Sequence, residues 1–127
     1  MNFVRSTSHK YWWPVTVRLP NPDPDKAGDF LEQTFKMQFE PEGSDAAEER
    51  QKAYDTAKTV AEYSAAEFDH LRAICKNWSD IVEEDEVTPV PFTPENFDGS
   101  LKQVWFRRGV FAAYQESLSG EKARLGN

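Results

Sequence analysis

Cysteine, histidine and acidic side chains, the usual metal ligands, are few or scattered in this chain. The only cysteine, Cys75, follows His70 closely, and Asp69 lies beside that histidine. A closed tetrahedral site needs a full set of Cys, His or carboxylate ligands at suitable spacing, and one Cys with two scattered His does not provide it. We therefore predict no metal site, and we interpret Cys75 as a packed thiol.

Motifs for nucleophilic or phosphate chemistry are also absent from the sequence. No Gly-x-Ser-x-Gly elbow occurs, and the six glycines form no phosphate-binding loop. The acidic run from Glu83 to Glu86 contains paired carboxylates, but a contiguous acidic run beside prolines is typical of a solvated loop. We predict no catalytic residue, no cofactor and no enzymatic activity.

A short segment near the C-terminus contains residue types that are common in protein interfaces. Trp105 lies beside Arg107 and Arg108, and Trp and Arg dominate the binding energy of many interfaces. The same segment also fits an ordinary amphipathic helix with both arginines in water. The acidic run of one copy is complementary to these arginines on another copy, so we hypothesise self-association.

Trp12 is a further candidate for partner binding. On a strand whose inward residues include Val15 and Val17, alternation turns Trp12 outward. An outward tryptophan is either covered by another segment of the chain or part of a partner surface. The candidate protein-interaction residues are Trp12, Glu83, Glu84, Asp85, Trp105, Arg107 and Arg108.

Charge and hydropathy restrict the classes of partner. The net charge of -7 argues against nucleic-acid binding, which depends on attraction to phosphates. No apolar run reaches the length of a signal peptide or of a membrane span, so we expect a cytoplasmic protein with no membrane partner. The length predicts a single domain over residues 1–127, with flexible ends at 1–10 and 120–127.

Two segments alternate apolar and polar residues, which is the pattern of half-buried strands. The inward residues of these segments are Tyr11, Trp13, Val15, Val17, Leu19, Leu31, Phe35, Met37 and Phe39. The proline-rich connection from Asn21 to Asp25 predicts a turn, so we expect an antiparallel hairpin. A lone hairpin is marginal in water and must pack on other elements.

Residues 45–78 are charged and alanine-rich, which favours helix. Asp45 with Glu48 and Ser64 with Glu67 have capping-box spacing, so this segment is one helix or two, and we favour a break near Tyr63. Its apolar residues recur at helical spacing. They are Tyr54, Ala57, Ala61, Phe68, Leu71, Cys75 and Trp78.

Two further helices are predicted near the C-terminus. Thr93 followed by Pro94 is a strong helix start, because the hydroxyl can accept from free amides and proline needs no amide partner there. A last helix from about Trp105 ends at Ser119-Gly120. It should bury Val110, Phe111, Tyr114 and Leu118. The predicted fold class is α+β, a two-stranded antiparallel β-hairpin packed against about four α-helices.

The stretch from Trp78 to Tyr114 resembles the tail assembly chaperones of long-tailed bacteriophages. The residues that carry the resemblance are Trp78, Val82, Asp85, Val90-Pro91-Phe92-Thr93-Pro94-Glu95-Asn96-Phe97, Val110 and Ala113-Tyr114. They cover the C-terminal third of the chain. The chain departs from the pattern at Glu86-Val87, which stand where a turn glycine is expected.

The resemblance implies a chaperone that binds the tape-measure protein, keeps it soluble while tail-tube subunits assemble, and is absent from the finished virion. It also implies the short form of a frameshifted pair made in the host cytoplasm. Gly126 and Asn127 can be encoded with a slippery run, which makes them the candidate frameshift boundary. The alternative is a structural minor tail or connector protein retained in the virion.

Overall fold

The computed structural model describes residues 1–120 and has a mixed α+β architecture. Within that range the strands are β1 (Tyr11–Pro20), β2 (Phe30–Phe39) and β3 (Cys75–Ser79), in the sheet order β1-β2-β3. The helices are α1 (Ser44–Thr56), α2 (Val60–Ile74), α3 (Pro94–Leu101) and α4 (Val104–Ser119). The α+β class and four helices are confirmed. The expected pairing of the first two strands is also confirmed, but the predicted number of strands is wrong, because the sheet has a third strand.

The first two strands have the faces that their alternation predicts. Val15 and Val17 of β1 are buried, as are Phe35, Met37 and Phe39 of β2. The connection contains a short 3-10 turn at Pro24–Lys26, and the Asn21 amide donates to the Asp29 carbonyl across its base at 2.9 Å.

Strand β3 comes from residues that we expected on a helix. Cys75 and Trp78 are three positions apart, which fits one face of a helix, but α2 ends at Ile74 and Cys75 is extended (φ -96°, ψ 121°). The Ile74 carbonyl accepts a hydrogen bond from the Glu40 amide at 2.9 Å, just past the end of β2. Pairing with β2 therefore decides the conformation here, and the local apolar spacing does not.

The break between α1 and α2 exists, but it lies at residues 57–59 and not near Tyr63. Thr59 is the N-cap of α2, and its hydroxyl accepts from the Glu62 amide at 3.1 Å. The Glu62 carboxylate in turn accepts from the Lys58 amide at 2.6 Å. Ser64 lies inside α2. The expected Asp45 cap is also wrong, because Gly43 precedes α1 as its N-cap and makes no side-chain hydrogen bond there.

The described chain divides into two compact units. The first consists of Met1–Tyr11 and Gln38–Lys76, and the second of Trp12–Met37 and the residues from Asn77 onward. In the first unit, the hydroxyl of Tyr54 in α1 and Nδ1 of His70 in α2 are hydrogen-bonded at 3.1 Å. Burial raises the pKa of Tyr54 to about 12 and lowers the pKa of His70. Cys75 is buried, as predicted, and burial raises the pKa of its thiol.

In the second unit α4 packs on the strands. Phe106 stacks on Phe35 with ring centroids 5.4 Å apart, and the Trp13 indole donates to Glu116 at 3.3 Å. The buried residues of α4 are Phe106, Val110, Ala113 and Tyr114. Leu118 is exposed, contrary to our prediction, because it lies in the last turn before Gly120, whose left-handed backbone ends the helix as predicted (φ 73°).

Candidate partner-binding groove

Trp78 is the centre of an aromatic cluster in the second unit, next to the candidate site. Its side chain is 6% exposed, and the indole nitrogen donates to the Val90 carbonyl at 2.8 Å. The ring meets Phe92 edge-on at 5.1 Å, and Phe97 and Phe106 both lie 6.2 Å from it, centroid to centroid. Edge-to-face aromatic pairs at these distances are favourable. The cluster therefore fixes the chain on both sides of the acidic run.

The acidic run forms the tip of a small hairpin over residues 81–90, called here the acidic hairpin. The Val90 amide donates to the Ile81 carbonyl at 2.9 Å, and the Glu83 amide donates to the Thr88 carbonyl at 2.9 Å. The Glu86 amide closes the turn on the Glu83 carbonyl, also at 2.9 Å. These bonds pair the backbones of the two arms with each other.

Asp85 holds the turn together from inside. Its carboxylate accepts from the amides of Val87 and Thr88 at 2.9 and 2.8 Å, and from the Thr88 hydroxyl. The hydroxyl and these amides lower the pKa of Asp85, since they stabilise its charged form. Glu86 has a positive φ of 63°, so the residue that replaces the expected glycine adopts the backbone conformation that glycine favours.

An open groove of about 760 Å³ runs beside the acidic hairpin, within the second unit. Apolar residues from β1, β2, the hairpin and α4 line it and are called here its floor. They are Val17, Leu19, Phe35, Ile81, Val82 and Phe106. Ser100 and Gln103, at the junction of α3 and α4, also line the groove with polar groups, as do Gln33 and Thr34 of β2. Its volume is in the range of ordinary ligand sites.

Four acidic residues also line the groove: Asp80, Glu83, Glu84 and Glu86. Asp80 has an exposed ion pair with Lys36 at 3.4 Å. Within residues 1–120, the carboxylates of Glu83, Glu84 and Glu86 make no ion pair or side-chain hydrogen bond. These three residues are called here the rim of the groove. Their exposed carboxylates, which have no ion-pair partners in this range, give the rim a negative potential that favours cationic partners.

The structure separates the residues that the sequence grouped together. Glu83 and Glu84 line the groove, whereas the Asp85 carboxylate is bonded within the turn. The Arg107 guanidinium donates to the Leu101 carbonyl at 2.6 Å, so it provides a hydrogen-bond donor for the last carbonyl of α3. Arg108 is exposed on α4.

Both candidate tryptophans are at the surface and neither lines the groove. Trp12 is 44% exposed on β1, so its predicted outward direction is confirmed, and Trp105 is 38% exposed at the start of α4. Gly126 and Asn127, the candidate frameshift boundary, lie outside the described residues.

Sequence reasoning missed the groove itself. Leu19 and Phe35 were placed on the inward face, and Glu86 was noted as part of the acidic run and as a replacement for glycine. The floor combines residues far apart in sequence, and no local pattern signals such a combination. The run of acidic residues was the one signal that pointed to this region.

Among residues 1–120, no group of three or more His, Cys, Asp or Glu side chains is arranged to hold a metal ion. No helix in that range is long and apolar enough to cross a bilayer. Comparison of the chain with protein-family models, with characterised proteins and with solved structures finds no match.

Proposed function

We propose that the protein is a non-enzymatic assembly chaperone for the tails of long-tailed bacteriophages. It binds the tape-measure protein in the host cytoplasm, keeps it soluble, helps to recruit tail-tube subunits and leaves before the virion is complete. The observation that carries the proposal is the groove beside the acidic hairpin, which combines an apolar floor with the carboxylates of Glu83, Glu84 and Glu86, and these make no ion pair within residues 1–120. Such a surface suits a reversible contact with an extended protein partner and requires no chemical step.

The residues that carry the family resemblance support the proposal because they have linked structural roles. Trp78 bonds to Val90 and packs on Phe92 and Phe97. Thr93 caps α3, accepting from the Asn96 amide at 3.1 Å. These residues of the pattern therefore belong to one packed region, and that region borders the groove through Phe106.

The acidic character of the chain supports the same role. A net charge of -7 keeps a complex with an aggregation-prone partner in solution by mutual repulsion. Self-association would multiply weak contacts along a long partner and raise the overall affinity. Arg108 is the exposed arginine of the pair that we assigned to self-association, since the Arg107 side chain is used within the chain.

Co-expression with the tape-measure protein of the same genome tests the proposal. We expect the tape-measure protein to be soluble with this chain and insoluble without it. The double variant Glu83→Lys/Glu84→Lys should lose this effect. Glu48→Lys/Glu49→Lys is the matched control, because it changes the net charge equally at exposed positions that do not line the groove. Insoluble tape-measure protein in the presence of the wild-type chain would refute the chaperone role.

Two further observations separate the chaperone from a structural tail protein. Mass spectrometry of purified virions should detect tail-tube subunits but not this chain. DNA sequencing across the codons for Gly126 and Asn127 should show a slippery run and an overlapping open frame. A stoichiometric amount of the chain in virions would favour a minor tail or connector protein.

A further inference from the structure

The groove has features that select the chemistry of its occupant. Its floor is apolar and its rim carries the carboxylates of Glu83, Glu84 and Glu86, which make no ion pair within residues 1–120. An uncharged apolar segment would leave these carboxylates without cations and would desolvate them in part. An occupant with Lys or Arg beside its apolar residues satisfies both surfaces.

The backbone of the acidic hairpin argues for a helical occupant. The Ile81 carbonyl and the Glu83 amide are already bonded across the hairpin, to Val90 and Thr88. A segment that enters an apolar groove must satisfy its own amides and carbonyls, and a helix does so internally. The floor consists of side chains from several elements, which is the kind of surface that receives apolar residues spaced three and four positions apart on a helix.

We infer that this groove binds a basic amphipathic α-helix of a partner protein, with its apolar face on Leu19, Ile81 and Val82 and its Lys or Arg side chains against Glu83, Glu84 and Glu86. The inference deepens the proposed function and rests on it for the partner's identity, since the tape-measure protein would supply the helix. Its chemistry can be tested without that protein.

Binding of designed peptides to the full-length chain tests the inference by fluorescence anisotropy. The first peptide is a labelled Leu/Lys amphipathic helix of roughly 18 residues, or about five turns. The second has Glu in place of Lys, and the third has the Leu/Lys composition in an order without an apolar face. We expect the first to bind at least about tenfold more tightly than either of the others, because only it matches both the rim and the floor.

Variants locate the binding in the groove. Glu83→Lys/Glu84→Lys should weaken binding of the Leu/Lys helix by about tenfold or more, whereas Glu48→Lys/Glu49→Lys should change it by less than about twofold. Val82→Ser tests the floor and should also weaken binding. Circular dichroism of each variant verifies that it is folded. Equal binding of the scrambled peptide would overturn the inference, since it would indicate charge attraction alone.

Two other results would also overturn it. If the groove variants dissociate an oligomer in light scattering while peptide binding is unchanged, the occupant is a second copy of this chain. If no peptide binds but the tape-measure protein stays soluble in co-expression, the groove inference fails and the chaperone role stands. Peptide binding without any effect on the tape-measure protein would retain the groove and remove the proposed function.

Discussion

The indole nitrogen of Trp78 donates a hydrogen bond to the Val90 carbonyl at 2.8 Å, across a separation of twelve residues. This bond joins the end of β3 to the last residue of the acidic hairpin. The Trp78 ring is also packed on Phe92 and Phe106. The side chain thus combines a polar anchor with aromatic packing, and both hold the hairpin beside the groove.

Trp78→Phe keeps an aromatic ring but removes this donor. A carbonyl left without a partner costs about 1–3 kcal/mol, and the smaller ring adds a packing loss. We expect the free energy of unfolding to fall by about 2–3 kcal/mol in urea denaturation. Trp105→Phe, at an exposed site, should change it by less than about 0.5 kcal/mol. Equal effects of the two substitutions would contradict the role of the Val90 bond.

The sequence predicted correctly those strands and helices whose residue pattern lies within the element itself. Alternation along β1 and β2 identified their buried faces, and Thr93-Pro94 identified the start of α3. The helix break was expected but misplaced, because Thr59 with Glu62 and Ser64 with Glu67 have the same capping-box spacing, and the spacing alone does not choose between them.

Features that depend on distant segments could not be predicted in this way. The spacing of Cys75 and Trp78 fits a helix, and only the presence of β2 gives the extended chain its hydrogen-bond partners. The groove is even less predictable from local patterns, since its lining residues Leu19, Phe35 and Phe106 come from three separate elements. The sequence identified the acidic side chains of the rim but contained no sign of the apolar floor next to them.

Gly109 tests the packing of α4 on β1. A Cβ atom at this position would lie 2.8 Å from the Thr16 carbonyl oxygen and 3.2 Å from Cγ2 of Val17. The backbone oxygen cannot move away easily, so Gly109→Ala should destabilise the protein by about 1–3 kcal/mol despite the better helix propensity of alanine. The measurement is the free energy of unfolding from urea titration.

Gly99→Ala is the matched control for Gly109→Ala. Gly99 is inside α3. Apart from its chain neighbours and the backbone of its own helix, a Cβ at this position would have no heavy atom within 4 Å. Alanine should therefore stabilise the protein by about 0.5–1 kcal/mol through helix propensity. Stabilisation by both substitutions would show that α4 does not approach β1 as closely as described.

Glu86→Gly tests the strain in the turn of the acidic hairpin. A left-handed backbone costs a residue with a side chain about 1–2 kcal/mol, and glycine avoids this cost while losing more chain entropy on folding. We expect a net gain in the free energy of unfolding of about 0.5–1 kcal/mol, measured by thermal and urea unfolding. Glu84→Gly removes the same charge at a residue that does not have a positive φ, and should destabilise the protein slightly.

Asp85 gives a prediction for the effect of pH. Hydrogen bonds from Thr88 and Val87 lower its pKa in the folded protein below the ordinary value near 4. A lowered folded-state pKa contributes stability that is present above the unfolded-state pKa and lost as the pH falls through the folded-state pKa. Replacing Asp85 by Asn removes this titration, so the stability difference between wild type and Asp85→Asn should be largest at neutral pH and shrink below about pH 4.

Urea unfolding of both proteins at a series of pH values from neutral to acidic checks this prediction. Glu84→Gln is the control, since it removes an acid of the same turn without removing a side-chain hydrogen bond, and so separates net charge from the contacts of Asp85. Parallel pH profiles for wild type and Asp85→Asn would mean that the Thr88 contacts do not favour the charged carboxylate. A profile that converges in acid for Asp85→Asn but not for Glu84→Gln would assign the pH dependence to the hydrogen bonds that close the turn.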